Sequence, residues 1–171
     1  KEVFEGVSAR LSRFSYLVSL LPTSVIDELG LRLELRSRRF KSYTPVDSTG
    51  LLIERQEGTP TRDSFKELTG DDREYQAWRA FEAELKDLAA VIEPTLTQPL
   101  PRAAELRARV DQEVWSSVVE RPLGELIEAR FADDTVRGVV LTDGLIGTFT
   151  SAHDPSLRQN RCFLYHMIGN G

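Results

Sequence analysis

Cysteine is almost absent. Cys162 is the only one in 171 residues, so no intramolecular disulfide can form. A single thiol fits a reducing compartment. Positive charge is also in deficit: 22 basic residues against 27 acidic ones leave a net charge of −5. Without an overall basic field to hold a phosphate backbone, nucleic acid is excluded as the expected partner. The one basic cluster, residues 36–41, is interrupted by Ser37 and Phe40 and reads as a solvated strand end or turn. Long apolar runs are missing. The longest, residues 16–22, is far too short to span a bilayer, and no basic–apolar–small pattern opens the chain. Membrane-surface association would rest on the apolar stretch 14–21, which has no basic amphipathic partner. The expected location is the cytoplasm. Also lacking are a GxGxxG turn, a phosphate-cradling loop, a GxSxG elbow and a CxxC pair. The chain opens on Lys1, and Met167 is its only methionine. It stops at Gly169-Asn170-Gly171 behind an apolar segment, and the expectation is a piece of a longer protein.

What remains describes an ordinary folded domain. Apolar residues make up 40% and charged residues 29% of the chain, and 171 residues suffice to bury a core. No internal repeat or boundary is visible, so residues 1–171 read as one domain. The fold class expected is α+β, mostly helical with a small antiparallel sheet. Thr23 reads as the cap of a short helix over residues 24–29, with Gly30 as its stop. Leu31, Leu33 and Leu35 alternate with Arg32, Glu34 and Arg36, the pattern of a half-buried strand. Two further strands are expected at Phe40 and Tyr43 and at residues 51–53, joined by a turn over residues 47–50. Thr61 is placed as the cap of a helix ending near Gly70. Asp71-Asp72-Arg73-Glu74 is then a capping-box signal.

The strongest helical signal follows. Tyr75, Trp78, Phe81, Leu85, Leu88 and Ile92 recur at steps of three and four until Pro94. Residues 102–119 repeat the helical pattern through Leu106, Val110 and Val114. Pro122 starts another helix with Leu123, Leu126, Ile127 and Phe131 inward. Asp133-Asp134 opens a further helix through Val136, Val139, Val140 and Leu145. Gly144, Gly147, Asp154 and Pro155 mark a loop, and residues 157–168 form a last helix or, alternatively, a strand.

Few residues carry chemistry. His153-Asp154 sits in a Gly/Ser/Thr/Pro-rich loop, where functional residues concentrate. Cys162 and His166 are four apart and could share a helical face. Two such groups do not make a metal site, and no third group orients them as a nucleophile and base. No metal is expected. The acidic pairs at 71–72 and 133–134 stand at helix starts, where they complement the dipole. The aromatic stripe Tyr75, Trp78, Phe81 reads as core.

Several stretches look like one family. Leu11-Ser12-Arg13-Phe14-Ser15-Tyr16-Leu17-Val18-Ser19-Leu20-Leu21-Pro22 precedes Glu28-Leu29-Gly30-Leu31-Arg32-Leu33. Toward the other end stand Thr142-Asp143-Gly144-Leu145-Ile146-Gly147-Thr148-Phe149-Thr150-Ser151-Ala152-His153-Asp154-Pro155 and Tyr165-His166-Met167-Ile168-Gly169. This resembles the phytoene-desaturase-like branch of FAD-dependent amine-oxidase-type oxidoreductases, in the subgroup named for a pyridine-nucleotide-disulphide-oxidoreductase domain. The resemblance implies an FAD domain built from both ends of a longer chain and a substrate domain inserted between. This sequence has neither flavin-holding segment, so it reads as the substrate-domain region.

The resemblance further implies a lipid-like, hydrophobic substrate that gives up hydride to FAD, with the FAD domain of the same parent chain as partner. No FAD is expected on this piece, and no turnover by it alone. The stretch Arg13, Phe14, Ser15, Tyr16 is expected near the flavin ring. Ser151, His153, Tyr165 and His166 are expected to wall an apolar cavity. The competing expectation is a stand-alone helical ligand- or protein-interaction module without catalysis.

Overall fold

Alternating residues followed by a tight turn build a hairpin, and this hairpin starts the larger of two compact units in the chain. A computed structural model describes residues 2–3, 6, 10–11, 18 and 20–168. The units are Lys1–Arg32 with Gly169–Gly171, and Leu33–Ile168. In the smaller unit, strands β1 (Glu2–Val3) and β2 (Arg10–Leu11) pair antiparallel, and helix α1 covers Thr23–Glu28. Thr23 is the first residue of that helix rather than its cap; Pro22 holds the cap position. Gly30 ends it as expected. Its backbone is left-handed, its N–H reaches Asp27 O, and Leu31 N–H reaches Ile26 O at 3.0 Å, the paired bonds of a Schellman stop.

In the larger unit, strands β3 (Phe40–Val46) and β4 (Thr49–Glu54) form an antiparallel hairpin turning at Asp47-Ser48. Helix α2 (Thr59–Thr69) packs on β4. Thr61 lies inside α2, two residues after its start, because Pro60 already fits the first turn. The buried Thr61 hydroxyl instead joins the hairpin: it accepts from Glu54 N–H at 3.0 Å and lies 3.3 Å from the Glu54 carboxylate. Helix α3 (Arg73–Ile92) buries Tyr75, Trp78, Phe81, Leu85 and Leu88 along one face. Phe65 stacks against Tyr75 and Trp78, and Phe81 meets Phe131 edge-on at 5.6 Å.

The capping box expected at residues 71–74 is not made. Asp72 turns to an ion pair with Arg62, whose hydrogen bond holds its carboxyl below the usual range. Glu74 reaches across the core to accept from Ala132 N–H at 2.9 Å, fastening α3 to the start of the next helical layer.

The remaining helices are α4 (Ala103–Arg107), α5 (Gln112–Trp115), α6 (Leu123–Arg130), α7 (Asp134–Leu145) and α8 (Arg158–Met167). The single helix expected over 102–119 is broken. Asp111 accepts from Glu113 and Val114 N–H and starts a new helix there, and residues Ser116–Glu120 widen into a π-turn. Asp133 caps α7 as the sequence suggested, accepting from Thr135 and Val136 N–H. Gly144 belongs to the last turn of α7, not to the loop beyond it. The C-terminal segment is helix, and its strand alternative falls away. The α+β class, mostly helical with a small antiparallel sheet, is what the chain adopts.

One expected strand is missing. Residues 31–38 carry no regular structure, and Leu31, Leu33 and Leu35 are 42%, 46% and 56% exposed. Among the described residues the ladders join only β1 to β2 and β3 to β4, so the alternating run has no neighbour to pair with.

Candidate functional site

The loop between α7 and α8 and helix α8 itself carry the candidate residues that lie in the described part of the chain. The loop begins where α7 stops and crosses back over α6. Asp154 organises it from within. The Thr150 hydroxyl and the Ser156 N–H (2.7 Å) both donate to its carboxylate, and these bonds, Thr150 first, hold its pKa down to about 2. Phe149 and Leu157 both adopt left-handed backbone, so the loop enters and leaves on strained residues.

From outside, buried Gln159 in the first turn of α8 donates to the carbonyls of Ala152 (3.1 Å) and Asp154 (2.9 Å). Ala152 O also accepts from Gly124 N–H of α6 at 2.8 Å. The His153 ring lies directly over Gly124, where a Cβ would come within 2.7 Å of the imidazole. His153 Nε2 meets Glu128 Oε1 at 2.9 Å. Only glycine permits this approach, and the loop is thereby clamped to α6. Beneath it, buried Asn160 donates to Val118 O and Arg121 O and accepts from Leu123 N–H, tying α8 to the start of α6.

The remaining candidates sit on α8. Cys162 Sγ and His166 Nδ1 are 3.7 Å apart, but Nδ1 also lies 2.9 Å from Cys162 O and 3.0 Å from Asp143 O. Those carbonyls claim the ring proton. Cys162 Sγ leans toward Ile146 O at 3.4 Å, and burial, with Asp143 nearby, pushes its thiol pKa up. A thiol held protonated is no activated nucleophile. Tyr165 is half exposed and meets the His166 ring edge-on at 5.5 Å. Ser151 is exposed, and its carbonyl accepts from Asp154 N–H. The structure therefore brings Ser151 and His153 together in one loop and places Tyr165 and His166 on the adjoining helix. Arg13, Phe14, Ser15 and Tyr16 lie outside the described residues.

Sequence reasoning missed three neighbours. Phe149 is fully exposed in the same loop, and Gln159 and Asn160 are fully buried polar anchors. A phenylalanine between Gly147 and the Thr150–Pro155 turn was a readable sign; two amides in a polar helix start were not.

Two grooves lie elsewhere. A groove of about 400 Å³ has an apolar floor of Leu88, Val110 and Val114 and a rim carrying Asp87, Arg109 and Glu113. A smaller one of about 160 Å³ shares Glu113 and Arg130 with it. Neither is lined by Ser151, His153, Tyr165 or His166. Among the described residues no group of three or more His, Cys, Asp or Glu could hold a metal ion. No helix among them is long and apolar enough to cross a membrane.

Three helix starts in the larger unit, those of α5, α6 and α7, are closed to a flavin pyrophosphate. A pyrophosphate needs a glycine-rich turn opening onto free helix N–H groups. The starts of α5 and α7 are occupied by the carboxylates of Asp111 and Asp133, and the N–H groups opening α6 are taken by Asn160 and Ala152.

The chain has a distant sequence link to proteins named for an oxidoreductase domain: the pyridine nucleotide-disulfide oxidoreductase domain-containing protein 2 of mouse is 27% identical and that of rat 26%, each over 99% of this chain. More similar in sequence is the uncharacterized protein Rv0897c of Mycobacterium tuberculosis, 39% identical over 99% of the chain. In every one of these pairs the chain spans only 34% of the relative's length. No known family profile and no solved structure matches it.

Proposed function

We propose that this chain is the substrate-domain region of a flavin-linked dehydrogenase or desaturase of the phytoene-desaturase-like kind, a region inactive by itself. The observation that carries the reading is the coverage. Almost the whole chain aligns with a third of longer proteins that bear an oxidoreductase-domain name, while the chain has no nucleotide-binding turn of its own. FAD, held by the rest of the parent polypeptide, would supply the hydride acceptor for a C–H bond of a hydrophobic substrate.

This chain's own part is orientation and exclusion of water. The loop 148–156 is stiffened by Asp154, Gln159 and the His153–Gly124 contact, so it can act as a fixed wall rather than a mobile flap. Phe149, Ile146 and Tyr165 offer apolar surface from this loop and the adjoining helix. His153 Nε2 is paired to Glu128, which fixes the ring where it lies over Gly124 of α6.

The test is to purify the full-length polypeptide and record its flavin spectrum anaerobically, with and without lipid-like substrates. Co-purifying flavin that is bleached by such a substrate supports the reading. A full-length protein that neither carries nor takes up FAD overturns it, and a ligand- or partner-binding module without catalysis then becomes the better account.

A further inference from the structure

Residues 31–36 are the place where sequence and packing disagree most. Leu31, Leu33 and Leu35 alternate with Arg32, Glu34 and Arg36, a period that puts all three leucines on one face of an extended chain. All three are instead exposed to about half their area, and no strand among the described residues pairs with them. Glu34 and Arg36, two apart, approach to 4.0 Å, as neighbours on the opposite, polar face should. Leu31 N–H is used by the helix stop at Ile26 O, but beyond it a run with strand chemistry and no ladder among the described residues leaves backbone groups able to pair, together with a half-exposed apolar stripe.

We infer that residues 31–36 are a β-strand whose pairing partner is a strand from another part of the longer polypeptide. This rests on the reading above that the chain is one region of such a polypeptide. Relatives that align with 99% of this chain extend to about three times its length, which leaves ample sequence to supply the partner. Charge argues for the same occupant over a second copy of the segment. Residues 32–39 hold four arginines, Arg32, Arg36, Arg38 and Arg39, against one glutamate, Glu34. Two copies would crowd like charges, whereas a strand carrying alternate apolar residues and carboxylates opposite Arg32 and Arg36 complements both faces.

Hydrogen exchange read by mass spectrometry on the full-length polypeptide and on the 171-residue chain tests this. Ladder amides among residues 32–36 should exchange at least about a hundredfold more slowly in the full-length protein. Equal, fast exchange in both overturns the inference. Protection that develops in the 171-residue chain alone and rises with its concentration also overturns it, in favour of self-pairing. As a second readout, Leu33→Asp should abolish that protection in the full-length protein and leave the thermal midpoint of the 171-residue chain unchanged. Flavin content of the same full-length sample separates the two claims. Bound flavin without protection removes the strand but not the oxidoreductase reading; protection without flavin supports the strand and removes that reading.

Discussion

Helix α3 and the run 31–36 carry equally regular apolar patterns, one at the period of a helix and one at that of a strand. Their fates differ completely. The α3 stripe is buried against Phe65, Phe131 and Phe163, whereas the leucine stripe stands in solvent. A helix closes its backbone hydrogen bonds within itself, so α3 needs only something apolar to lie against. A strand's bonds must come from another strand, and among the described residues none is at hand. Periodicity states what a segment can be; a partner decides whether it becomes that.

Substitution can break this contrast, starting where the effect should be greatest. Phe81→Ala removes a ring that is 2% exposed and touches both Phe131 and Phe163. It should lower stability by about 3–5 kcal/mol in urea unfolding, the range for a truncated core aromatic. Asn160→Ala should follow, at about 2–3 kcal/mol, because it strands the carbonyls of Val118 and Arg121 and the N–H of Leu123 in a buried seam. A smaller and pH-dependent effect is expected from Asp154. Its folded-state pKa, about 2, lies below the unfolded carboxylate value of about 3.9, so its contribution is complete above the unfolded value and fades as pH falls toward 2. Asp154→Asn should therefore lower the thermal midpoint at pH 6 and converge with the parent chain near pH 2. Leu33→Ala should do least, within about 0.5 kcal/mol in the 171-residue chain, since the side chain it shortens is half exposed. A large loss there would mean the leucine stripe is covered after all.

Local chemistry explains which features were readable. Residues 73–92 give a three- and four-residue apolar recurrence that no other structure accommodates, and Gly30, Pro94 and Asp133 punctuate helices by backbone rules of their own. The break at Asp111 was not readable against the steady spacing of Leu106, Val110 and Val114, because a capping side chain competes with an apolar pattern that continues through it. Thr61 and Asp72 were assigned to caps on residue type alone. In the fold, Glu54 and Arg62 on the preceding elements, seven and ten residues back, offer them bonds instead. The candidate site was legible as a polar, turn-rich loop around His153. Its real supports were not, since Gln159, Asn160 and Gly124 act only through the carbonyls and the ring brought onto them.

The sequence alone determined the class of fold, the aromatic core face of α3 and most helix ends. These follow from local backbone preference and from the period of apolar residues, both complete within a few turns of chain. Tertiary structure decided the rest. It set the clamp of the α7–α8 loop on α6, the diversion of Asp72 to Arg62 on the neighbouring helix and of Glu74 to Ala132 across the core, the pinning of His166 to carbonyls, and the exposure of the leucines in residues 31–36. Each depends on which groups from remote parts of the chain arrive within hydrogen-bonding or van der Waals distance, and no local pattern encodes that arrival.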